Sequence, residues 1–361
     1  MGNKLKVGII GATGMVGQRF ACLLENHPWF EVTVLAASKN SSGMTYEEAV
    51  KDRWKMTTSL PEKYKNMVVK NAYEVEDICN KVDFVFCAIS LDKKQTKLLE
   101  EEYAKHETPV VSNNSANRNV EDVPVLIPEI NGTHAQIIES QKKRLGTKRG
   151  FIAVKPNCSI QSYVPPVNAL MEYEPQTILA CTYQAISGAG KTFNECPEIL
   201  DNVIPFIGGE EEKSENEPLK IWGKVENNKI INAQNPIITT QCIRVPVTNG
   251  HLAAVFVNFK KKPSKEEIIK AWESFKVPEI VLSLPSAPKQ FLKYFTEDNR
   301  PQTNLDRDYE NGMGITMGRL REDKIFDYKF VCLSHNTLRG AAGGGVLSAE
   351  YLKACGYLTA K

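Results

Sequence analysis

Short apolar runs alternate with amphipathic segments through the first part of the chain. The apolar runs predict buried strands at 7–10, 32–36, 82–90, 109–115 and 150–155. Helical periodicity lies between them, at 18–26 and 92–106. Strands that alternate with helices in this order predict an α/β domain with a doubly wound parallel sheet of the Rossmann type.

The pattern changes after Pro156. Three long runs rich in Ile, Thr and Val predict a mixed or antiparallel sheet in an α+β domain; they are 177–188, 235–247 and 252–260. Residues 296–324 are predicted to be rich in loops. A last amphipathic helix, from about Val346, is expected to pack on the first domain. The predicted domains are therefore residues 1–156 with 336–361, and residues 157–335.

Composition narrows the classes of function. Lysine and arginine (45) nearly balance aspartate and glutamate (43), so no basic stripe indicates a nucleic-acid partner. No apolar run is long enough to span a bilayer, and "MGNKLK" has neither a leader pattern nor the Ser or Thr of a myristoylation motif. The nine cysteines lack a C-x-x-C pair and zinc-ligand spacing. These features predict free thiols, no metal and a cytoplasmic location.

A glycine-rich turn joins the first predicted strand to the first predicted helix. Its spacing, G-x-x-G-x-x-G, is a variant of the dinucleotide fingerprint, in which glycines let the backbone approach a pyrophosphate at a helix N-terminus. A merely structural turn is the alternative, but the strand before the motif and the helix after it favour nucleotide binding. The predicted contacts are Gly11, Thr13, Gly14, Met15, Val16 and Gly17.

The end of the second predicted strand indicates which dinucleotide binds. An NAD enzyme usually has Asp or Glu there to bind the ribose hydroxyls. This chain has a lysine and three serines instead, which suit a 2′-phosphate, and NADP is the predicted cofactor. The residues are Ser38, Lys39, Ser41 and Ser42.

Three side chains in the second part of the chain are candidates for chemistry. Cys158 follows Pro-Asn at a predicted strand-to-helix junction, where a helix N-terminus would lower the pKa of a thiol; a buried filler is the alternative. His251 begins a predicted strand at an expected exposed position that suits acid–base chemistry, although a lone histidine is often structural. Arg244, inside an apolar strand, indicates either a structural ion pair or an anion clamp.

Seven short motifs occur in the order found in the aspartate-semialdehyde dehydrogenase family. They are "GATGMVG", "SNNSANRN", "KPNCS", "TYQAISGAG", "GEEEK", "RVPVTNGH" and "NTLRGAAGG". They extend over essentially the whole chain, which resembles the archaeal and fungal branch. The resemblance implies a Rossmann-type NADP-binding domain and an α+β catalytic and dimerisation domain, similar to the glyceraldehyde-phosphate dehydrogenase fold, in a homodimer or homotetramer.

The resemblance also implies residue roles. Cys158 would be the nucleophile, His251 the general acid–base and Gln184 the residue that orients the substrate. Arg244 would clamp the substrate α-carboxylate, and Glu210 would bind its ammonium group. The register within "EEE" stays open by one residue, and a solvated helix face is the alternative for that run. Further substrate or phosphate positions are Lys213, Arg118, Asn117 and Asn157, and positions beside the nicotinamide and ribose are Ser187, Gly188 and Asn336.

The implied reaction is the NADPH-dependent reductive dephosphorylation of L-4-aspartyl phosphate to L-aspartate 4-semialdehyde and phosphate, in the biosynthesis of lysine, threonine, methionine and isoleucine. Malonyl-CoA reductase, N-acetyl-glutamyl-phosphate reductase and glyceraldehyde-phosphate dehydrogenase are alternatives of the same fold. Arg244 with Glu210 favours a free amino acid. A regulatory NADP-binding protein is disfavoured because Cys158, Gln184 and His251 are all present.

Overall fold

The computed structural model describes residues 4–361. Residues 1–3, where the predictions about a leader and a myristoyl group begin, lie outside the described residues. The first domain contains β1 (Leu5–Ile10), α1 (Met15–Leu24), β2 (Phe30–Ala37), α2 (Tyr46–Val50), α3 (Glu62–Lys65), β3 (Lys70–Asn71), α4 (Val75–Cys79), β4 (Phe84–Cys87), α5 (Lys93–Lys105), β5 (Val110–Ser112), α6 (Pro128–Asn131), α7 (Ile138–Leu145) and β6 (Ile152–Val154).

The six strands of the first domain form one parallel sheet in the order β3-β2-β1-β4-β5-β6. Its central strands are apolar on both faces because helices cover both faces. Phe86 of β4, for example, stacks on Phe20 of α1 with ring centroids 4.5 Å apart. The strand order reverses between β1 and β4, and the carboxyl ends at such a reversal leave a crevice for a ligand. The doubly wound prediction is confirmed.

The second domain is built around a mixed sheet. Its elements are α8 (Val164–Asn168), β7 (Pro175–Gln184), α9 (Glu210–Ile221), β8 (Lys224–Glu226), β9 (Lys229–Ile231), β10 (Ile237–Arg244), β11 (His251–Phe259), α10 (Lys265–Glu273), α11 (Glu279–Leu282), β12 (Leu292–Phe295), α12 (Thr303–Asp306), β13 (Ile315–Glu322) and β14 (Tyr328–Ser334). The sheet order is β10-β7-β11-β14-β13-β12, with β10–β7 and β12–β13 parallel and the other pairs antiparallel. The predicted α+β character is confirmed.

The two faces of this sheet differ. Along β11, buried residues alternate with partly exposed ones, as expected when only one face is covered. Trp272 of α10 covers the buried face, where its ring lies 5.1 Å from that of Phe330 and its Nε1 donates to the Pro166 carbonyl at 2.9 Å. The opposite face stays partly open in the single chain.

One prediction about this domain is wrong for residues 315–322. Residues 296–324 were expected to be loop-rich, but residues 315–322 form β13, which pairs with β12 and β14. The strand carries Gly318, Arg319 and Arg321, so its sequence lacks a clear apolar pattern. Its two neighbours stabilise it through backbone pairing, which overrides weak local preference.

A final helix, α13 (Gly343–Ala354), returns to the first domain. Leu347 and Leu352 are fully buried in the same apolar cluster as Phe20 and Phe86. The last helix therefore packs on the first domain, as expected. The exact domain boundaries, at residues 156 and 336, stay a prediction. No helix within residues 4–361 combines the length and the apolar character needed to cross a membrane.

Candidate active site

A cavity of about 520 Å³ brings together residues from both domains. Eleven of the predicted site residues line it: Val16, Arg118, Asn157, Cys158, Gln184, Ser187, Gly188, Glu210, Lys213, Arg244 and Asn336. A larger groove of about 750 Å³, between α4 and α5, contains none of them. The smaller cavity is therefore the candidate active site.

Cys158 lies just beyond the end of β6 and is partly exposed to this cavity. Only a single 3₁₀ turn, Ser159–Gln161, follows it, and the backbone N–H of Ser159 donates to Asn157 Oδ1 at 2.9 Å. Gly340 packs directly on the cysteine, and a Cβ atom there would lie 2.8 Å from that of Cys158. Burial raises the pKa of the Cys158 thiol most, and the nearby Glu210 carboxylate raises it further. The lowered pKa expected from a helix N-terminus is therefore wrong, because one short turn does not outweigh burial.

His251 is the nearest side-chain partner of Cys158, with 3.5 Å between Nε2 and Sγ. Its Nδ1 accepts the backbone N–H of Ala185 at 3.1 Å, so a neutral ring carries its proton on Nε2, facing the sulfur. Burial, together with the Arg244 guanidinium, lowers the pKa of His251 to about 3. The expected exposure of His251 is wrong, because the side chain is fully buried at the start of β11.

Gln184 and Arg244 reach the cavity from two parallel strands that end together. β7 and β10 pair in register, which places the two residues side by side. Arg244 Nη1 donates to the Ala185 carbonyl at 2.8 Å, and Gln184 Nε2 donates to Thr182 Oγ1 at 3.2 Å. Within residues 4–361, Arg244 forms no ion pair with a carboxylate. A buried guanidinium without an anionic partner favours the anion clamp over the structural ion pair.

The helix α9 presents one charged face to the site. Glu210, Lys213 and Glu217 recur at the spacing that places residues on one side of a helix. Lys213 Nζ lies 3.1 Å from Glu210 Oε2, and among the three glutamates of the acidic run only Glu210 lines the cavity. Glu217 accepts from Arg118 Nη1 at 2.9 Å and from the Asn157 backbone N–H at 2.6 Å. Glu217 thereby holds Arg118 against the segment that carries Cys158.

Asn117 was expected to assist substrate or phosphate binding, but it does not line the cavity. It is buried behind the cavity wall, where its Nδ2 donates to Glu100 Oε2 at 2.7 Å. The same carboxylate accepts from Ser112 Oγ at 2.5 Å and from Asn114 Nδ2 at 3.0 Å. Glu100, on α5, therefore anchors the segment 112–118 that ends at Arg118.

The glycine motif is formed as the fingerprint predicts. The first turn of α1 has no side-chain cap at Gly14, so its amides are available to an anion. A Cβ atom at Gly17 would lie 2.1 Å from the Gly11 carbonyl oxygen, so only glycine allows this turn to pack on the helix. Gly11, Thr13, Gly14, Met15 and Gly17 lie outside the cavity itself.

The residues beyond β2 suit a 2′-phosphate. Ser38 and Lys39 are exposed, whereas Ser41 is buried and accepts from Arg53 Nη2 at 3.2 Å. Ser42 is partly exposed beside them. Arg53 thus adds a second cation to the predicted group.

On the side of the site where the nicotinamide is expected, Asn336 forms hydrogen bonds to two other segments of the chain. Its Nδ2 donates to Ser187 Oγ at 2.8 Å, and its Oδ1 accepts the Gly250 N–H at 2.8 Å. Lys55 of the first domain forms an ion pair with Glu195 of the second at 2.7 Å. These contacts join the domains on the side where the cofactor is expected.

Sequence reasoning missed several residues of this site. Lys155 lines the cavity, and its signal was a charged residue directly after an apolar strand. The signal for Glu217 was its helical spacing from Glu210. For Glu100 and Arg53 no signal was present, because both act through residues distant in sequence.

Comparison with known proteins places this site in a family. A model of the semialdehyde dehydrogenase NAD-binding domain matches residues 6–138, and a model of the semialdehyde dehydrogenase dimerisation domain matches residues 167–339. The aspartate-semialdehyde dehydrogenase of Archaeoglobus fulgidus is 42% identical over 97% of this chain and 98% of its own length. The chain belongs to the aspartate-semialdehyde dehydrogenase family.

Two further similarities support this membership. The Aspergillus fumigatus aspartate-semialdehyde dehydrogenase is 39% identical over 98% of this chain and 99% of its own length. The crystal structure of the Candida albicans aspartate semialdehyde dehydrogenase with NADP superposes with a TM-score of 0.86 at 36% identity, covering 98% of this chain and all of that chain (100%). The predicted similarity to archaeal and fungal members, the enzyme class and the NADP cofactor are confirmed.

Proposed function

We propose that this chain reduces L-4-aspartyl phosphate to L-aspartate 4-semialdehyde with NADPH, releasing phosphate, through a thioester on Cys158. Family membership supports the reaction and favours it over the malonyl-CoA and N-acetyl-glutamyl alternatives. The observation that carries the residue assignment is that Cys158, Arg244 and Glu210 line one cavity. A thiol beside separate partners for a carboxylate and an ammonium group suits an amino-acid derivative.

The substrate's amino-acid end is assigned to Arg244 and Glu210. The Arg244 guanidinium is planar and has no carboxylate of its own, so it suits a two-point hydrogen bond to the α-carboxylate. Burial is the largest single influence on Glu210 and opposes its ionisation, but Lys213 and a hydrogen bond from Asn157 together outweigh burial, and the pKa of Glu210 is lowered. Glu210 is therefore an anion near neutral pH and suits the substrate ammonium group.

The phosphate is assigned to Arg118 and Lys213. Arg118 Nη2 also donates to the Asn113 carbonyl at 2.9 Å, so the guanidinium is held from two sides by Glu217 and this carbonyl. Preorganised cations of this kind stabilise the charge that develops on a leaving group. Asn157 completes this side of the cavity beside the cysteine.

The chemistry follows from these placements. The Cys158 thiolate attacks the acyl carbon, a C–S bond forms, and the C–O bond to phosphate breaks with its electron pair on the phosphate. NADPH, when bound, supplies the hydride that reduces the thioester. His251 donates a hydrogen bond from its Nε2–H to the oxyanion of the tetrahedral adduct, and the thiolate leaves when the carbonyl re-forms. The proton consumed overall ends on the released phosphate.

The decisive assay runs the reaction backwards. Phosphate-dependent NADP reduction is measured with aspartate semialdehyde, with N-acetyl-glutamate semialdehyde and with malonate semialdehyde in parallel. Aspartate semialdehyde should be used at least about tenfold better, because only a free amino acid engages both Arg244 and Glu210. Preference for either other aldehyde would overturn the substrate assignment.

Assembly is proposed through the open face of the second sheet. Leu179, Tyr183 and Phe256 share this face, where β7 pairs with β11, and they remain partly or fully exposed. An uncovered apolar sheet face in the region matched by the dimerisation domain supports a homodimer or homotetramer. Light scattering of the wild type and of Tyr183→Asp tests this, and an unchanged mass would reject the face. A cytoplasmic location stays a prediction.

A further inference from the structure

A 3₁₀ turn at Ile186–Ala189 lies against the centre of the active site. Ala185, directly before it, donates its N–H to His251 Nδ1 at 3.1 Å, and its carbonyl accepts from Arg244 Nη1 at 2.8 Å. A Cβ atom on Gly188 would lie 2.8 Å from Arg244 Nη1 and 3.0 Å from His251 Nε2, so the turn packs closely on both side chains. The position of this turn therefore affects His251, Arg244 and the side of the cavity where the nicotinamide is expected.

Lys55 of the first domain holds the end of this turn. It lies between α2 and α3, and its side chain is mostly buried, with 17% exposed. Its Nζ donates to the Gly190 carbonyl at 2.7 Å and lies 2.7 Å from Glu195 Oε1. The other carboxylate oxygen of Glu195 accepts from the N–H and the hydroxyl of Thr192 at 2.8 and 3.0 Å. One ammonium group therefore fixes the chain at two points beyond the turn.

The backbone of Lys55 is attached to the helix α1, which follows the glycine motif. Its N–H donates to Gln18 Oε1 at 2.8 Å, and Gln18 is fully buried on α1. Gln18 Nε2 also donates to two carbonyls, that of Thr13 in the glycine motif at 2.9 Å and that of Arg53 at 2.8 Å. Arg53 in turn reaches Ser41 at 3.2 Å. The backbone of Lys55 is thus connected to the residues expected at the pyrophosphate and the 2′-phosphate.

An ordinary ion pair between the domains is the alternative role for Lys55. The Glu195 side chain is 45% exposed, and ion pairs at such exposure contribute little to stability. The contacts to the Gly190 carbonyl and to buried Gln18 are different, because they fix the position of two segments that belong to different domains. A ligand that spans two surfaces binds more tightly when both surfaces are already held in the geometry of the complex.

We propose that Lys55 is a positioning residue that holds the turn 186–190 in register with the glycine motif, so that one cofactor molecule engages both. Lys55 does not line the cavity, so it acts through the turn and not by direct contact. This inference rests on the proposed function, because it assigns the nicotinamide to the side of the cavity that Ser187 and Gly188 line.

The first test compares two ligands that differ at the nicotinamide end. NADP and 2′-phospho-ADP-ribose, which lacks the nicotinamide ring, are titrated calorimetrically into the wild type and into Lys55→Met. Lys55→Met should raise the Kd of NADP about fivefold, the effect of about one hydrogen bond, because the turn must then be ordered on binding. The Kd of 2′-phospho-ADP-ribose should change by less than about twofold, because its contacts lie on the first domain.

Turnover supplies an independent measurement. Lys55→Met should lower kcat for phosphate-dependent NADP reduction about tenfold and leave the KM for phosphate unchanged, because the reacting groups are held less well. The primary isotope effect on kcat with aldehyde-deuterated aspartate semialdehyde should rise, because hydride transfer becomes slower relative to the other steps. Lys55→Arg, which keeps a charged donor for the Gly190 carbonyl, should restore most of the NADP affinity and turnover.

Lys51→Met is the matched control, because Lys51 is an exposed lysine at the end of α2. It should match the wild type in both titrations and in turnover. Glu195→Gln should have a smaller effect than Lys55→Met, because the contact between Lys55 and the Gly190 carbonyl remains. The melting temperature of Lys55→Met should stay within about 3 °C of the wild type. If Lys55→Met does not fold, Lys55→Gln replaces it.

The possible failures are distinguishable. Equal weakening of both ligands in Lys55→Met would restrict Lys55 to a structural role and overturn the proposal. Wild-type NADP affinity and turnover in Lys55→Met, or the same loss in Lys51→Met, would also overturn it. A wild type that does not reduce NADP with aspartate semialdehyde and phosphate would instead reject the proposed function, and the two titrations would still decide the role of Lys55.

Discussion

The Nε2 atom of His251 lies 3.5 Å from the Sγ atom of Cys158, although 93 positions separate the residues in sequence. The Ala185 N–H occupies the other ring nitrogen, so the proton of a neutral ring points at the sulfur. The imidazole therefore acts as a donor to a thiolate or an oxyanion, and it has no free acceptor for the thiol proton. His251 is therefore placed to stabilise negative charge on the sulfur or on the adduct oxygen, and not to deprotonate the thiol.

Cys158→Ser should lower kcat by several orders of magnitude, on the order of 10³-fold or more, and leave NADPH binding unchanged. A serine hydroxyl at this position has no strong base and is a poor nucleophile. Stopped-flow turnover and fluorescence titration of NADPH measure the two quantities.

Cys355→Ser is the control for this variant, because Cys355 is exposed and distant from the cavity. It should keep wild-type turnover. Cys355 is exposed, so alkylation experiments on Cys158 need this replacement. Normal turnover in Cys158→Ser would assign the chemistry to another residue.

His251 should make the folded state less stable as the pH falls. Its folded pKa of about 3 lies below the unfolded value of about 6.5, so below pH ~6.5 only the unfolded state takes up the proton. Stability is fully present above pH ~6.5 and is lost towards pH ~3, by up to about 1.4 kcal/mol per pH unit. His251→Gln should flatten this dependence, measured as the free energy of urea unfolding near pH 7 and near pH 5.

His106→Gln provides the comparison, because His106 is exposed on the surface. Its unfolding free energy should keep the wild-type pH dependence. Equal slopes in the wild type and in His251→Gln would show that His251 is not held neutral by burial.

Much of the fold follows from local pattern, whereas much of the site does not. The strand and helix around Gly11–Gly17 were predictable because an apolar run, a glycine turn and helical periodicity are adjacent in sequence. The strand β13 could not be predicted, because Gly318 and Arg319 interrupt its apolar pattern. Pairing with the neighbouring strands stabilises it instead.

The same distinction applies to the site. Cys158, Arg244 and His251 were recognised from short motifs, but their burial was not. Exposure of His251 was predicted from its place after a turn, and the structure buries it because the segment 185–188 and the Cys158 loop cover the start of β11. Glu100 and Glu217 act by positioning other residues. Such roles can be recognised only from tertiary contacts, which the sequence does not show.

Arg244→Lys should raise the KM for aspartate semialdehyde by about tenfold or more and leave the KM for NADP unchanged. Lysine keeps the charge but loses the planar pair of donors that a carboxylate engages. Steady-state kinetics with each substrate varied in turn separates the two constants.

The melting temperature of Arg244→Lys should stay close to the wild-type value, because Arg244 has no carboxylate partner within the described chain. Arg339→Lys is a useful contrast: Arg339 is buried in an ion pair with Glu129, so its replacement should lower the melting temperature. A near-normal KM in Arg244→Lys would make Arg244 structural.

NADP should be preferred over NAD by at least about tenfold, the effect of one charge-assisted contact to the 2′-phosphate. Ser38→Asp should reverse much of this preference through repulsion, and Arg53→Ala should weaken it, because Arg53 reaches Ser41 in the same group. Lys51→Ala, at an exposed position before Arg53, is the control and should not alter the ratio of kcat/KM for the two cofactors. Equal use of both cofactors by the wild type would contradict the assignment of this group.

Glu100 should act as a positioning residue for Arg118. Its buried carboxylate accepts from Ser112, Asn114 and Asn117, and glutamine would bring an NH₂ group against these donors. Glu100→Gln should therefore loosen the segment 112–118, raise the KM for phosphate in the reverse assay about fivefold or more, and cost about 1–3 kcal/mol of unfolding free energy. The KM for NADP should not move, which a general loss of stability would not explain. Glu102→Gln, an exposed change on the same helix, should alter none of these quantities. An unchanged KM for phosphate in a destabilised Glu100→Gln would restrict Glu100 to a structural role.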